Sequence, residues 1–380
     1  MTSMTKNPCN LTVSKPFVVD WAEDSVRETV ASAQLSGKSP KIIEFEEAFC
    51  DVVGQRHGAA VSSGTAALHL ALLSIGVEAG DEVIVPDFVM AAPLFAIAYC
   101  GATPIFVDAD RSWNIDPGGI RRAITTRTRA ILVVHTYGHP ADMEAISRIA
   151  EEAGLPIIED GAEALGASAR GKMVGSFGSV ACFSFYSNKA ITTGEGGMVV
   201  TSSQTIIDRV RSLRDMCFGS SLSTRFLHER LGFNYRMSAM QAALGLTQLP
   251  HLNVSVESSR ENARLYRLAL ADIRHLTLPP DMSWAASSYW AFGIIVDKQF
   301  GSTRDRLCKF LAESEIECWP FFQPAHRQPF LKALNRSDSE FPQSSKLADE
   351  GLYLPSFLGL QGSDIERIAS TIRAAAAPGS

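Results

Sequence analysis

Apolar residues along this chain fall into short blocks separated by longer stretches of helical periodicity. Runs rich in Val, Ile and Ala stand at residues 82–85, 103–107, 130–134, 156–158, 180–185 and 198–201. Blocks so short are strands more readily than helices, and their alternation with helical stretches predicts a largely parallel sheet covered by helices, an α/β architecture. A further run at 59–61 leads into the turn Ser62-Ser63-Gly64-Thr65 and a helix over 66–73. Downstream, helical periodicity extends from residue 238 to about 273 with Pro250 as a break point, because proline removes a helical hydrogen bond. A strand over 290–296, a helix over 303–313 and a closing helix over 364–376 follow. The elements therefore predict a large domain over residues 1–250 and a smaller α+β domain over 251–380. Residues 335–345, rich in Ser and charge, read as a surface loop.

The ends of the predicted strands carry the candidate chemistry. The segment Phe183-Ser184-Phe185-Tyr186-Ser187-Asn188-Lys189 closes an apolar run and is followed by Thr192-Thr193-Gly194-Glu195-Gly196-Gly197. A single lysine is most often a solvated surface charge. Held between an apolar strand and a glycine-rich turn, however, its amine is neutral often enough to attack a carbonyl. Asp160 ends the run Pro156-Ile157-Ile158-Glu159-Asp160, at the strand end where open α/β sheets bind ligands. A carboxylate there suits the ring nitrogen of pyridoxal phosphate, whose protonated ring is an electron sink. The Ser62-Ser63-Gly64-Thr65 turn reads either as an ordinary helix N-cap or as a phosphate cradle of free N–H groups.

Taken together, these pieces resemble the DegT/DnrJ/EryC1/StrS sugar aminotransferases, fold-type I pyridoxal-phosphate enzymes. The resemblance covers nearly the whole chain and includes Gly64-Thr65-Ala66-Ala67-Leu68, Gly80-Asp81-Glu82-Val83-Ile84-Val85-Pro86, Glu159-Asp160-Gly161-Ala162-Glu163 and Gly232-Phe233-Asn234-Tyr235-Arg236-Met237. Trp113-Asn114-Ile115-Asp116, His135-Thr136-Tyr137-Gly138-His139-Pro140, Cys217-Phe218-Gly219 and Pro320-Phe321-Phe322 are most similar to the GDP-perosamine synthase branch.

The resemblance implies that Lys189 forms the internal aldimine and that Asp160 pairs with the ring nitrogen. It implies phosphate contacts from the Gly64, Thr65 and Ala66 turn and from the Ser184 hydroxyl, with Asn234 reaching across from a neighbouring subunit. Glu163 falls near the ring hydroxyl, and Met90 holds the place where an aromatic usually covers the ring. Val89 and Gly161 also depart from the family pattern, where threonine and alanine are common. Lysine at the aldimine position implies transamination, since family members with histidine there are dehydratases.

The implied reaction moves an amino group from L-glutamate to a nucleotide-linked 4-keto-6-deoxy sugar. Another keto-sugar or a keto-cyclitol is the alternative acceptor, and a non-catalytic pyridoxal-phosphate-binding regulator the alternative of another class. His326 and Phe322 are candidate substrate contacts from the C-terminal motif. Arg225, His228 and Arg230 are candidate partners for the diphosphate, each weighed against an ordinary solvated charge. A homodimer with shared active sites is the implied minimal unit.

Composition narrows the partners. The chain has 380 residues, 46% of them hydrophobic, which is ample for two domains. A net charge of −6 without a basic cluster argues against nucleic acid. Seven scattered cysteines, Cys9, Cys50, Cys100, Cys182, Cys217, Cys308 and Cys318, lack CxxC spacing and read as reduced thiols. The first nine residues have no apolar leader core, and no run approaches the roughly 18 apolar residues of a membrane span. A cytoplasmic protein is expected. His135 and His139 have HxxxH spacing, but Gly138 and Pro140 break the helix that would align them, so no metal site is predicted.

Overall fold

The computed structural model describes residues 11–219 and 221–376. Cys9, the rest of the N-terminal stretch read for a leader, and Ser220 lie outside the described residues. Seven strands form the main sheet: β1 (His57–Val61), β2 (Glu82–Pro86), β3 (Thr103–Val107), β4 (Thr128–Val134), β5 (Ile157–Asp160), β6 (Val180–Ser184) and β7 (Gly197–Thr201). Their spatial order is β1-β7-β6-β5-β4-β2-β3. The pairs β2/β3, β2/β4, β4/β5 and β5/β6 are parallel. In contrast, β7 is antiparallel to both β1 and β6.

The continuous apolar runs have their reason in burial on both faces, as parallel sheets covered by helices require. Every residue of β2 and of β7 is buried. One face packs on the helix Gly64–Ser74, whose Leu68, Leu70 and Leu72 are buried with Val83, Val85 and Leu132. On the other face, Phe45 and Phe49 of the helix Pro40–Val53 meet Phe183 and Phe185. Helix Met143–Ala153 is amphipathic and buries Met143, Ile146, Ile149 and Ala150, the spacing of one helical face.

The helical stretch around Pro250 is divided as the proline dictates. Helix Ala239–Gln248 ends in a 3-10 turn, Leu249–His251, and helix Leu252–Ala269 follows. Beyond it lies a four-stranded antiparallel sheet of Leu276–Thr277, Phe292–Val296, Gly351–Leu354 and Trp319–Pro320. Tyr266 stacks on Phe292 at 4.6 Å in its core, with Ile294, Leu307 and Ile368 around them.

Two segments cross between the sheets. Leu11 packs in the C-terminal core and bridges to Ile316, while Ala325 and Phe341 pack in the core of the seven-stranded sheet. Residues 335–345 are thus not simply a surface loop. They hold a 3-10 turn, Asp338–Glu340, and the start of helix Pro342–Glu350. Between those elements Phe341 is 6% exposed and stacks on His326 at 5.0 Å.

Candidate active site

The antiparallel β7 is what places Lys189. Parallel neighbours need a crossover, usually a helix, and none lies between β6 and β7. Residues 185–196 instead return the chain as a wide hairpin loop, tied where Phe185 N–H donates to Gly196 O (2.9 Å) and Thr193 N–H to Phe185 O (2.9 Å). Lys189 sits in this loop over the carboxyl ends of the parallel strands. Its side chain is 13% exposed, with Nζ 3.9 Å from Glu163 Oε1 and 3.8 Å above the Trp290 ring centroid. Burial draws the amine below the ordinary lysine range, and the charges of Glu163 and Asp160 offset part of that effect.

Asp160 ends β5 at 6% exposure. Its Oδ1 accepts from Ala162 N–H (3.0 Å), and no hydrogen bond from the described residues reaches Oδ2. Burial pushes this carboxyl up, and the same cause raises Glu163. Glu163 Oε2 accepts from Tyr137 N–H (2.9 Å), so the carboxylate is held between the lysine and the turn after β4. A cavity lined by Gly64, Thr65, Met90, Asp160, Glu163 and Lys189, among others, joins these groups. Ser184 and Phe322 also line it.

The Ser63 turn is both an N-cap and an open cradle. The Ser63 side chain accepts from Ala66 N–H (3.1 Å), so that amide is already satisfied within the chain. Ala66, expected from the resemblance to offer its N–H to the phosphate, here donates it to its own cap. The N–H groups of Gly64 and Thr65, the first two helical residues, have no partner among the described residues. A Cβ on Gly64 would lie 2.9 Å from Ser184 Cβ, so glycine is what lets the helix start come down onto Ser184.

The remaining candidates separate. Met90 lines the cavity at 49% exposure. Phe322 lines it with its N–H donated to the Tyr137 hydroxyl (3.3 Å). His326 does not join them: its ring nitrogens each lie 2.7 Å from a carboxylate, Asp87 Oδ2 and Asp338 Oδ1. A side chain with both nitrogens spent in this way has nothing left for a sugar. Arg225 is exposed over Phe218 and Phe226, His228 is bonded to Met216 O, and Arg230 lines a different cavity. None of the three borders the lysine cavity of its own chain. Asn234 is exposed in a bridge with Asp215, also away from that cavity.

Trp290 escaped the sequence reading except as part of a strand. It stacks on Tyr137 at 6.3 Å, carries Lys189 on its face, and donates from Nε1 to Asn188 O (2.8 Å). No local pattern marks it, since its partners lie about 100 to 150 positions earlier in the chain. His135 and His139 serve the framework. His135 Nε2 pairs with Glu159 Oε2 (3.2 Å) and its Nδ1 accepts from Ala141 N–H, while His139 meets Asn114 and Pro140.

Pyridoxal phosphate fits this donor set. An anion finds two free N–H groups at a helix start beside a serine hydroxyl. A protonated ring nitrogen finds the unspent oxygen of Asp160, and a buried amine stands where a carbonyl would be captured. The Thr136 hydroxyl, buried in the cavity wall, also has no hydrogen-bond partner among the described residues.

Comparison with known proteins agrees with this chemistry. The sequence profile of the DegT/DnrJ/EryC1/StrS aminotransferase family matches residues 20–373. A GDP-perosamine synthase of Vibrio cholerae is 37% identical over 349 residues, 92% of this chain and 94% of that protein. The crystal structure of S. venezuelae DesV in complex with a ketimine intermediate superposes with a TM-score of 0.88 at 32% identity, over 93% of this chain and 94% of that one. DesI, solved in the presence of its TDP-sugar product, gives a TM-score of 0.89 at 29% identity, over 99% and 94%.

Proposed function

Starting from a chain that belongs to the DegT/DnrJ/EryC1/StrS aminotransferase family, and so is a sugar aminotransferase that uses pyridoxal phosphate, we propose a narrower reaction. The amino group comes from L-glutamate and goes to a GDP-linked 4-keto-6-deoxy sugar. Similarity to GDP-perosamine synthase over almost the whole length supports the acceptor. The observation that carries the reading is the buried Lys189 amine between Glu163 and the Trp290 face, in one cavity with Asp160.

Bound there, pyridoxal phosphate supplies a carbonyl for amine exchange and a ring that accepts an electron pair. The chain's residues do the rest. Gly64 and Thr65 N–H groups and the Ser184 hydroxyl hold the phosphate, and Asp160 holds the proton on the ring nitrogen. The Lys189 amine, shifted toward its neutral form by burial, takes the α-proton of the donor and later returns a proton to the sugar carbon. Glu163 stays within electrostatic reach and steadies the amine when it is charged. Met90 and Phe322 line the cavity and help to keep water from it.

The active unit in this proposal is a two-fold dimer. Leu222, Phe226, Leu227 and Leu231 are 63–94% exposed on one segment beside Asn234. Apolar surface of that kind suits burial against a second copy, which would bring Asn234 to the partner's phosphate cradle. Cytoplasmic location is part of the same proposal. The six described cysteines are free thiols, which suits a reducing compartment, and no described helix is long and apolar enough to cross a membrane.

The test is direct. Cofactor-loaded protein is mixed with L-glutamate and GDP-4-keto-6-deoxymannose, and the nucleotide sugar is weighed by mass spectrometry. The expected result is the aminated sugar, with turnover lost by at least about 10²-fold in Lys189→Ala. Conversion of the cofactor by glutamate with no change in the sugar would overturn the acceptor and leave the aminotransferase in place.

A further inference from the structure

The cavity wall holds a polar group that nothing in the chain answers. Thr136 is 2% exposed and lines the lysine cavity, and its Oγ1 has no hydrogen-bond partner among the described residues. Buried polar atoms in native folds are almost always paired, so an exception calls for a partner from outside the chain, a water or a ligand.

The hydroxyl is carried by a turn that its surroundings over-determine. Thr136 N–H donates to the buried Asn114 Oδ1 (2.9 Å), and Thr136 O accepts from His139 N–H (3.0 Å). Tyr137 follows in the left-handed region (φ 53°), where a bulky aromatic is rare and persists only if its neighbours hold it. Its N–H is bound to Glu163, its hydroxyl to Phe322 N–H, and its ring to Trp290. Gly138, at φ 91°, has no room for a side chain, because a Cβ would stand 2.6 Å from Ser288 Oγ. The backbone that carries this hydroxyl is thus held from several sides.

The turn follows directly on the strand that pairs with the Asp160 strand. Val134 lies opposite Asp160 in the β4/β5 register, and His135 N–H donates to Asp160 O (3.2 Å). The ring nitrogen directed at Asp160 is a donor when protonated, which leaves the ring oxygen as the acceptor a pyridoxal ring offers nearby. We propose that Thr136 is a further cofactor-binding residue, its hydroxyl donating to that ring oxygen. The contact rests on the pyridoxal-phosphate reading of the site and adds a residue to it. A donor at the ring oxygen draws charge from it and loosens its hold on the adjacent proton. The bound cofactor of the natural chain then gives up that proton at lower pH than it would without the hydroxyl. Asp160, Glu163, Lys189, Glu195 and Tyr186 face the same cavity, and the His135–Glu159 pair stands behind the turn. These groups are common to every variant below, so the comparison isolates the hydroxyl.

Thr136→Val keeps the shape and deletes the hydroxyl, whereas Thr136→Ser keeps the hydroxyl. Apoprotein of each is titrated with pyridoxal phosphate by fluorescence quenching, the absorbance of the bound cofactor is followed against pH, and circular dichroism reports folding. The valine variant should bind about 3–10-fold more weakly, with its absorbance midpoint raised by about 0.5–1 pH unit, and the serine variant should follow the natural chain. Equal affinity and midpoint in the natural chain and Thr136→Val would overturn the assignment. Equal loss in both variants would overturn it too, by showing that shape and not the hydroxyl matters. Failure of the natural apoprotein to bind pyridoxal phosphate would sink the site reading itself, and this contact with it.

Discussion

His326 shows how a residue's surroundings decide its work. Burial alone would push its imidazole down, but hydrogen bonds to Asp87 and Asp338 outweigh that and hold it above its usual value of 6.5. Asp87 also accepts from His326 N–H (2.9 Å), and its own carbonyl accepts from Ala325 N–H (2.7 Å). The ring, bonded on both sides, therefore clamps the loop that carries Phe322 to the strand end that carries Met90. A group whose folded pKa is raised contributes stability that is complete below its unfolded pKa and is lost as pH rises through the folded one. The melting temperature should therefore fall as pH rises from about 6.5, and Asp338→Asn should bring that fall to lower pH. His69 and His139, drawn down to about 4 by burial, titrate outside this window. Parallel melting curves for the natural chain and Asp338→Asn between about pH 6 and 9 would refute the clamp.

Among the elements, the helix Gly64–Ser74 is the most sharply constrained, because its start must both cap itself and face an anion. Its place is set by contact with β6 and β7: a Cβ on Gly197 would stand 2.6 Å from Ser63 C, and one on Gly64 2.9 Å from Ser184 Cβ. Alanine at position 64 would favour the helix by at most about 1 kcal/mol. Overpacking against Ser184 costs about 1–3 kcal/mol and displaces the cradle, so the loss wins. Gly64→Ala is expected to lower stability in urea melts and to weaken pyridoxal phosphate binding at least tenfold. A more stable variant with natural affinity would mean that Ser184 yields freely and that the close approach is incidental.

At the scale of the whole molecule, one chain holds Lys189, Asp160 and the cradle, but it leaves Asn234 outside its own cavity. If the partner's cradle receives it, Lys189→Ala and Asn234→Ala are defects that different subunits can cover. A mixed dimer has one site with both defects and one with neither. Unfolding and refolding the two variants together should then restore about a quarter of natural activity, since half the dimers are mixed and each has one intact site. Activity no higher than the average of the parents would show that Asn234 serves its own chain or none.

Local order in the chain was enough to reveal much of this protein. The apolar blocks mark strands because residues buried on both faces must be apolar, and Pro250 marks a helix break because it lacks an N–H. Lys189 and Asp160 stand out in the sequence because Asp160 ends an apolar run and Lys189 follows one, each with turn residues after it. What escaped depends on contacts distant in sequence. Trp290 reads as one more strand residue until the C-terminal sheet lays it under Lys189. His326 reads as a candidate substrate contact until Asp87 and Asp338 close on it, and Phe341 as part of a loop until it stacks on that same ring. The Thr136 hydroxyl, unpaired among the described residues, is likewise a matter of which partner lies within 3.5 Å, and the folded packing, not the order of residues, supplies that distance.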